Sequence, residues 1–344
     1  MLPEFFQATW AERTWAARLL WPMAQLYRGL LVARSCAYRC HLIPSRRFAV
    51  PVVVIGNVVV GGAGKTPLVI SMVRHLQARG LNVGVVSRGY GRNMRQSLEV
   101  LATTPVQHSG DEPALIKRAT GAPVFVARRR ADAVGMLLER HPGIQVVITD
   151  DGLQHTALQR DIEVVVFDDR GVGNGWLLPA GPLREPWPRP AMKARQILLH
   201  TGMVAAFSGF TSTRRLALHG VAGDGSRVSL ADLRHTPITA MAGIANPDGF
   251  FSMLRARGLA FAATVELPDH DDFESLDLRG YAGSTVLCTE KDAVKLFSKP
   301  TPANCKLLAV PLIFEPEPAF YTAFDSLLAE FLSPLPSNHG HQTS

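Results

Sequence analysis

Short apolar runs alternate with segments of helical periodicity between residues 50 and 169. Runs rich in valine and isoleucine lie at 50–60, 81–92, 122–127, 144–152 and 162–169. Apolar residues at helical spacing lie between them, at 66–80, 110–120 and 131–141. Strands that are apolar on both faces are typical of parallel sheets covered by helices on both sides. The pattern therefore predicts an α/β fold with a mostly parallel sheet.

Proline and glycine become frequent at 177–190, and a second, smaller α/β pattern follows at 238–258, 260–273 and 284–297. The Pro-rich stretch is interpreted as a connection between two domains. The predicted organisation has an N-terminal amphipathic helical segment at 1–45, a core domain at 46–190, a smaller C-terminal α/β domain at 191–335 that closes a cleft, and a disordered tail at 336–344.

The N-terminal stretch at 4–35 mixes large apolar side chains with arginines, and no uncharged run in it reaches the length of a membrane span. A helix with apolar residues on one side and arginines on the other can lie in a membrane interface. It can equally pack on its own domain, because buried amphipathic helices are common. Both interpretations stay open at this point, and Pro22 is expected to kink or split the helix.

The stretch "VVVGGAGKTP" at 58–67 follows an apolar run and precedes a helix, which is the context of a phosphate-binding loop. Glycines let backbone N–H groups turn toward an anion, and a lysine and a threonine then serve the phosphates and Mg²⁺. The predicted nucleotide-binding residues are Gly61, Gly62, Ala63, Gly64, Lys65, Thr66 and Pro67. ATP and Mg²⁺ are the expected cofactors.

Two positions separate this loop from better-known patterns. Val59 stands where the strict motif has its first glycine. Val60 stands where one class of ATPases has an additional lysine, which argues against that class.

Acidic residues follow the predicted strands. Asp150 and Asp151 end a buried run, where a metal-binding acid is expected in such a fold, and Gln154 and His155 come shortly after. Asp111 can act as a general base or simply as a helix N-terminal acid, and the local sequence favours the second role. His270 in "PDHDDF" can orient such a base, although a lone histidine is more often a core or surface residue.

The chain is basic, with a net charge of +7, which favours anionic partners. Arg88 lies in the Gly-rich "SRGYGR", and a run of three arginines ends at Arg130. Either can bind phosphate, although arginine runs are usually solvated. Arg184 and Glu185 lie in the Pro-rich connection, where interdomain clefts form.

Eight stretches together resemble one family, the lipid A tetraacyldisaccharide 4′-kinases. In chain order they are "GNVVVGGAGKTP", "SRGYGR", "GDEP", "DDGLQH", "LLPAGPLREP", "AGIANPDGFF", "PDHDDF" and "TEKDAVKL", spanning about residues 55–297. Val59 fits the loop of this family. The resemblance implies a P-loop NTPase-like core, a smaller α/β domain, and transfer of the ATP γ-phosphate to the 4′-hydroxyl of a tetraacylated glucosamine disaccharide 1-phosphate in lipid A synthesis.

The resemblance also implies roles for individual residues. Asp111 is expected to be the base, paired with His270 from the other domain, with Lys65 and Arg184 completing the catalytic set. The implied metal-site residues are Thr66, Asp150, Asp151 and Glu185. The implied substrate contacts are Ser87, Arg88, Tyr90, Arg130, Gln154 and His155. No role follows for "TEKDAVK".

The implied setting is the cytoplasmic face of the bacterial inner membrane, with the N-terminal helix as a peripheral, monotopic anchor. The expected partners are the membrane-embedded acylated disaccharide phosphate and the lipid surface, with no nucleic acid, and the expected state is a monomer. Two other classes compete with this interpretation. A nucleotide-hydrolysing switch or chaperone predicts hydrolysis without an acceptor, and a nucleic-acid-dependent ATPase predicts basic and aromatic residues interleaved on a binding surface.

Overall fold

The computed structural model describes residues 8–189 and 194–332, so the predicted tail at 336–344 lies outside the described residues. In chain order the strands are β1 (Val52–Gly56), β2 (Val83–Ser87), β3 (Leu98–Val100), β4 (Val124–Val126), β5 (Val146–Asp150), β6 (Ile162–Phe167), β7 (Arg195–His200), β8 (Phe210–Leu216), β9 (His219–Val221), β10 (Arg227–Ser229), β11 (Ile238–Ala242), β12 (Ala263–Glu266), β13 (Thr285–Thr289), β14 (Lys306–Val310) and β15 (Leu312–Pro316).

The main α-helices are α1 (Trp15–Arg39), α2 (Lys65–Ala78), α3 (Val106–Ser109), α4 (Asp111–Thr120), α5 (Arg130–Arg140), α6 (Pro247–Ala256), α7 (Glu290–Leu296) and α8 (Pro318–Ala329). Two 3₁₀ turns lie at Leu230–Leu233 and Leu278–Tyr281.

A larger sheet runs in the order β15-β8-β7-β6-β1-β5-β2-β4-β3 among the described residues. Its inner strands are parallel, and only the edge strands β3 and β15 pair antiparallel with their neighbours. β1 lies between β5 and β6, with Ile55 opposite Asp150. The carboxyl ends of these central strands therefore meet at one edge, where ligands bind in folds of this type.

A smaller sheet has the order β10-β9-β14-β13-β11-β12, with a parallel centre formed by β14, β13, β11 and β12. β7, β8 and β15 all come after residue 190 but join the larger sheet. The sheets thus do not divide the chain at residue 190, because the chain returns to the larger sheet after leaving the smaller one.

Helices cover both faces of the larger sheet, with α2 and α8 over one face and α5 over the other. α2 buries Leu68, Met72 and Leu76, at the spacing of one helical face, against β1 and β5. α8 adds Phe320 and Phe324 to the same cluster. Burying each such side chain contributes about 1.5–3 kcal/mol to stability. The predicted α/β class, with a mostly parallel sheet, a smaller α/β unit and an N-terminal helix, is confirmed.

Helix α1 is continuous, and Pro22 lies inside it without splitting it. One face packs on the domain through Ala16, Ala17 and Ala24, which are buried. A neighbouring stripe is exposed and large; its members are Trp15, Leu19, Met23, Leu26 and Leu30. Across the described ranges, no helix has both the length and the apolar character that crossing a bilayer requires.

Candidate active site

A cleft of about 1140 Å³ lies between the two sheets and is lined by residues from both. Its floor is the loop between β1 and α2, where Gly61 (φ 106°) and Gly64 (φ 74°) adopt the left-handed conformation that favours glycine. The Thr201 hydroxyl donates to Ala63 O at 2.9 Å and holds the loop from β7. Gly64 precedes α2 without a side-chain cap, so the positive end of the helix faces the cleft.

Lys65 is held at this loop by an amide. Its Nζ donates to Asn57 Oδ1 at 3.2 Å and lies 3.6 Å from Asp151 Oδ1. Asn57 Nδ2 in turn donates to Gly61 O at 3.2 Å. Asn57 therefore links the end of β1, the glycine loop and the lysine. Sequence reasoning assigned no role to this residue, although it stands at the start of the "GNVVVGG" motif.

The two acids at the end of β5 differ sharply, and Asp150 is the isolated one. It is 1% exposed, and neither carboxylate oxygen has a hydrogen-bond partner within the described residues. Burial, followed by the charges of Glu112 and Asp151, raises the pKa of Asp150 to about 8. A buried carboxylate without donors suits a bound cation. Thr66, the second residue of α2, lines the cleft.

Asp151, by contrast, is surrounded by cations. Arg184 Nη1 donates to both of its carboxylate oxygens at 3.2 Å. Burial tends to raise the pKa of Asp151, but Lys65, Arg184 and Arg130 outweigh it and lower this pKa below its usual value. Asp151 therefore stays ionised, and its charge is matched within the protein.

Arg130 and Gln154 brace the turn that carries these acids. Buried Arg130 donates from Nη2 to the carbonyl oxygens of Asp150 at 3.0 Å and Asp151 at 2.6 Å. Gln154 Nε2 donates to Asn57 O at 3.1 Å and to Glu185 Oε1 at 2.7 Å. The other oxygen of Glu185 lies 3.4 Å from Arg189 Nε. Glu185, expected at the metal, is thus engaged by protein groups behind the cleft wall.

On the opposite wall, His270 meets Asp111. His270 Nδ1 lies 3.2 Å from Asp111 Oδ2, which also accepts from Lys295 Nζ at 2.6 Å. His270 has a left-handed backbone (φ 67°) and lines the cleft, whereas Asp111 is buried behind it. Although burial tends to raise the pKa of Asp111, the hydrogen bonds from His270 and Lys295 lower it.

The remaining predicted substrate contacts lie along the same cleft. Tyr90 places its ring centroid 5.2 Å from that of His270. Arg88, Ser87 and His155 also line the cleft. Burial, then Arg130, Arg34, Arg88 and Arg160, lower the pKa of His155 to about 4, so this histidine is neutral at pH 7.

Several charged groups in or beside the cleft had no role assigned from the sequence. Glu112 sits beside Asp111 in "GDEP", and Lys291 and Lys295 belong to "TEKDAVKL" on α7. Arg214 on β8 approaches the loop so closely that a Cβ at Gly64 would lie 2.1 Å from its Nη2. The motif "TEKDAVKL" could have identified the two lysines as functional residues from the sequence, whereas Arg214 lies outside all eight motifs.

Comparison with known proteins agrees with the motifs. The family model described as tetraacyldisaccharide-1-P 4′-kinase matches residues 16–329. A tetraacyldisaccharide 4′-kinase of Polaromonas sp. (strain JS666 / ATCC BAA-500) is 64% identical over 98% of this chain and 99% of its own length. One from Acidovorax sp. (strain JS42) is 49% identical over 96% of both chains.

A solved structure shows the same fold. The crystal structure of LpxK from Aquifex aeolicus in complex with ATP aligns with a TM-score of 0.78 at 24% identity, covering 92% of this chain and 100% of that one. The resemblance drawn from the eight motifs is therefore confirmed at the level of the family. By the match of the family model and of its relatives along nearly the whole chain, this protein belongs to the tetraacyldisaccharide-1-P 4′-kinase family.

Proposed function

We propose that this protein transfers the γ-phosphate of ATP to the 4′-hydroxyl of a tetraacylated glucosamine disaccharide 1-phosphate, a step of lipid A synthesis. One observation carries the proposal: a single cleft presents a glycine loop with Lys65 on one wall and the His270–Asp111 pair on the other. Phosphoryl transfer depends on positioning and charge neutralisation, which this arrangement can supply. Membership of the family supports the choice of acceptor.

The glycine-loop wall is proposed to hold the nucleotide. Backbone N–H groups of residues 61–64 and the N-terminus of α2 suit the phosphates, with Lys65 at the terminal ones. Thr66 and Asp150 fit Mg²⁺, because the Asp150 oxygens are buried and have no donor among the described residues. When bound, Mg²⁺ neutralises developing charge on the phosphate oxygens. The complex of LpxK with ATP supports a nucleotide site in this fold.

The opposite wall is proposed to take the acceptor proton. Asp111 was expected to be the base, but the geometry favours a division of roles within the pair. Asp111 is buried, carries two hydrogen bonds on Oδ2 and has a lowered pKa, so it is a weak base. Its contact with Nδ1 leaves Nε2 of His270, which lies 3.4 Å from Lys291 Nζ, as the ring nitrogen that accepts the proton, as in other carboxylate–histidine pairs.

The chemical step then follows from these positions. His270 Nε2 takes the proton of the sugar hydroxyl as its oxygen bonds to the γ-phosphorus, and the bond to the β-phosphate oxygen breaks to release ADP. Lys65 matches the charge that accumulates on the leaving phosphate. Asp111 stabilises the cation formed on His270.

Helix α1 is proposed to bind the lipid surface on the cytoplasmic face of the inner membrane, as a peripheral element of a monomer. Its exposed stripe carries Trp15, 77% exposed, and Leu19, 72% exposed. Large apolar side chains in such a stripe favour an interfacial position. The same helix touches the site: Tyr27 OH donates to Arg184 O at 2.8 Å, and Arg34 Nη2 donates to Gln154 O at 2.8 Å. An acceptor with four acyl chains would thus stay near the bilayer while it reaches the cleft.

A transfer assay tests the proposal. The full chain is incubated with γ-labelled ATP, Mg²⁺ and the tetraacyldisaccharide 1-phosphate in detergent, beside a control without lipid. We expect label in the lipid, in a phosphomonoester at the 4′ position. ATP hydrolysis without lipid labelling, under conditions where the lipid is dispersed, would favour the nucleotide-hydrolysing switch instead.

A further inference from the structure

Helix α7 carries the motif "EKDAVKL", to which the proposed chemistry assigns no task. We propose that Lys295 on this helix is a positioning residue: it fixes the Asp111 carboxylate so that Asp111, as a permanent anion, orients and supports His270. The inference rests on the proposed function, because it assigns a part in the same proton transfer.

The ammonium group of Lys295 is fully used at this position. Nζ donates to Asp111 Oδ2 at 2.6 Å, to Asp271 O at 2.7 Å and to His270 O at 3.3 Å. These three acceptors match the three donors of an ammonium group. Its side chain is 13% exposed, so the pair with Asp111 is shielded from water. Lys295 therefore grips both the carboxylate and the backbone that carries the histidine.

The two contacts on Asp111 converge on one oxygen. His270 Nδ1 and Lys295 Nζ both meet Oδ2, while Oδ1 has no hydrogen bond to any described residue. Lys295 therefore fixes the rotation of the carboxylate, which in turn fixes the histidine ring and its tautomer. Without the ammonium group the carboxylate can turn, and the ring can leave the orientation that aims Nε2 at the acceptor.

Lys295 links elements that pack on different sheets. Asp111 begins α4, which covers the larger sheet, whereas α7 packs on β13 and β14 of the smaller one. The loop after β12 brings His270 to the same point. The base and its carboxylate partner thus come from different sheets, and Lys295 joins them.

Other charged and titratable groups surround the pair. Lys291 on α7 donates to Asp269 Oδ1 at 2.8 Å and lies 3.4 Å from His270 Nε2. Tyr90 faces the ring from the loop after β2, and Glu112 follows Asp111 on α4. Lys291 pairs with Asp269, whereas Lys295 is the lysine that contacts the Asp111 carboxylate directly.

The test compares Lys295→Met, Lys295→Arg and the control Lys299→Met in the full-length chain. Lys299 is a matched lysine from the same region that donates to the backbone carbonyls of Phe273 and Leu276 rather than to Asp111. We expect Lys295→Met to lower kcat by about 10- to 100-fold, with KM for ATP almost unchanged. Lys295→Arg should recover most of the rate, and the control should behave as wild type.

Two further readouts separate positioning from folding. Removing the ammonium group takes a positive charge from beside the His270–Asp111 pair and so favours the protonated pair, and the low-pH limit of kcat should move to higher pH in Lys295→Met. In a double-mutant cycle with Asp111→Asn, the second change should cost little, because both act on the same carboxylate. A structural role alone would move neither readout.

Several results would overturn the inference. They are a wild-type kcat and pH profile in Lys295→Met, or losses that simply add in the cycle. If Lys295→Met folds poorly by thermal unfolding, Lys295→Arg decides: an unchanged pH profile and a rate near wild type support the inference, and a rate as low as that of Asp111→Asn contradicts it. Wild-type protein that labels no lipid would instead overturn the proposed function.

Discussion

Two buried carboxylates beside the cleft, Asp150 and Asp111, are held in opposite ways. Asp150 is buried, neither of its oxygens accepts a hydrogen bond from any residue that the structure describes, and burial raises its pKa to about 8. Asp111 is also buried, yet hydrogen bonds from His270 and Lys295 lower its pKa. Asp150 has no bonded counter-charge among the described residues, and a bound cation can supply one. Asp111 already has its counter-charge in Lys295. The first suits a site that Mg²⁺ and nucleotide enter and leave, and the second suits a fixed catalytic group.

The nucleotide wall depends on Lys65, so the largest expected effect is there. Lys65→Ala removes the ammonium group that donates to Asn57 and pairs with Asp151. We expect transfer to fall by about 10³-fold or more. Lipid labelling under saturating ATP measures the loss. Arg74→Ala is the control, because it removes an exposed cation of the cleft that donates to the carbonyl oxygen of Ala119. An equal loss of transfer in Arg74→Ala would contradict a specific role for Lys65.

The isolation of Asp150 can be tested through stability. The pKa of the Asp150 carboxyl is near 3.8 in the unfolded chain and rises to about 8 in the folded protein. Between these two pH values the metal-free folded protein therefore holds a proton that the unfolded chain has released. Its free energy of unfolding should therefore fall as pH rises from about 4 toward 8, and Asp150→Asn should remove this fall. Denaturant unfolding across this pH range in chelator measures it.

Mg²⁺ should reverse the destabilisation at high pH. At about 100 times its Kd, binding adds about 2.7 kcal/mol to the free energy of unfolding. Asp150→Asn should lose this gain, while the exposed Asp132→Asn should keep it. A gain that survives in Asp150→Asn would place the cation elsewhere.

The smallest expected effect concerns α1, which lies outside the comparison of the two acids. Replacing Trp15, Leu19 and Leu26 by serine should weaken binding to phosphatidylethanolamine–phosphatidylglycerol vesicles by about tenfold or more. Cosedimentation measures it, with Leu101→Ser and Leu218→Ser as controls, because both are exposed leucines away from α1. Equal loss in the controls would mean that the stripe has no special affinity for lipid.

The sequence predicted local structure well and long-range pairing only in part. The loop at 58–67 and the acids that end β5 follow from strand and helix patterns, since the carboxyl ends of parallel strands share an edge. The contact of Asp111 with His270 was expected from the family motifs, and the two lie 3.2 Å apart. Their catalytic roles stay predictions.

What was missed depends on tertiary contacts. Lys295 lies 184 residues from Asp111 in the chain, and no local pattern links them. β15 pairs with β8 at the edge of the larger sheet, after the chain has passed through the smaller sheet. No local sequence pattern predicts this pairing. The metal-site role of Glu185, implied by the family motifs, stays a prediction; its oxygens contact Gln154 and Arg189, partners that depend on how the Pro-rich segment folds back.

The central claim is that one wall binds nucleotide and the other accepts the proton of the acceptor. His270→Gln tests it most directly, by ATP affinity and single-turnover transfer to the lipid in the same preparation. We predict an ATP Kd close to wild type and transfer slowed by about 10²- to 10⁴-fold. Transfer at the wild-type rate, or loss of ATP binding equal to the loss of transfer, would contradict the claim.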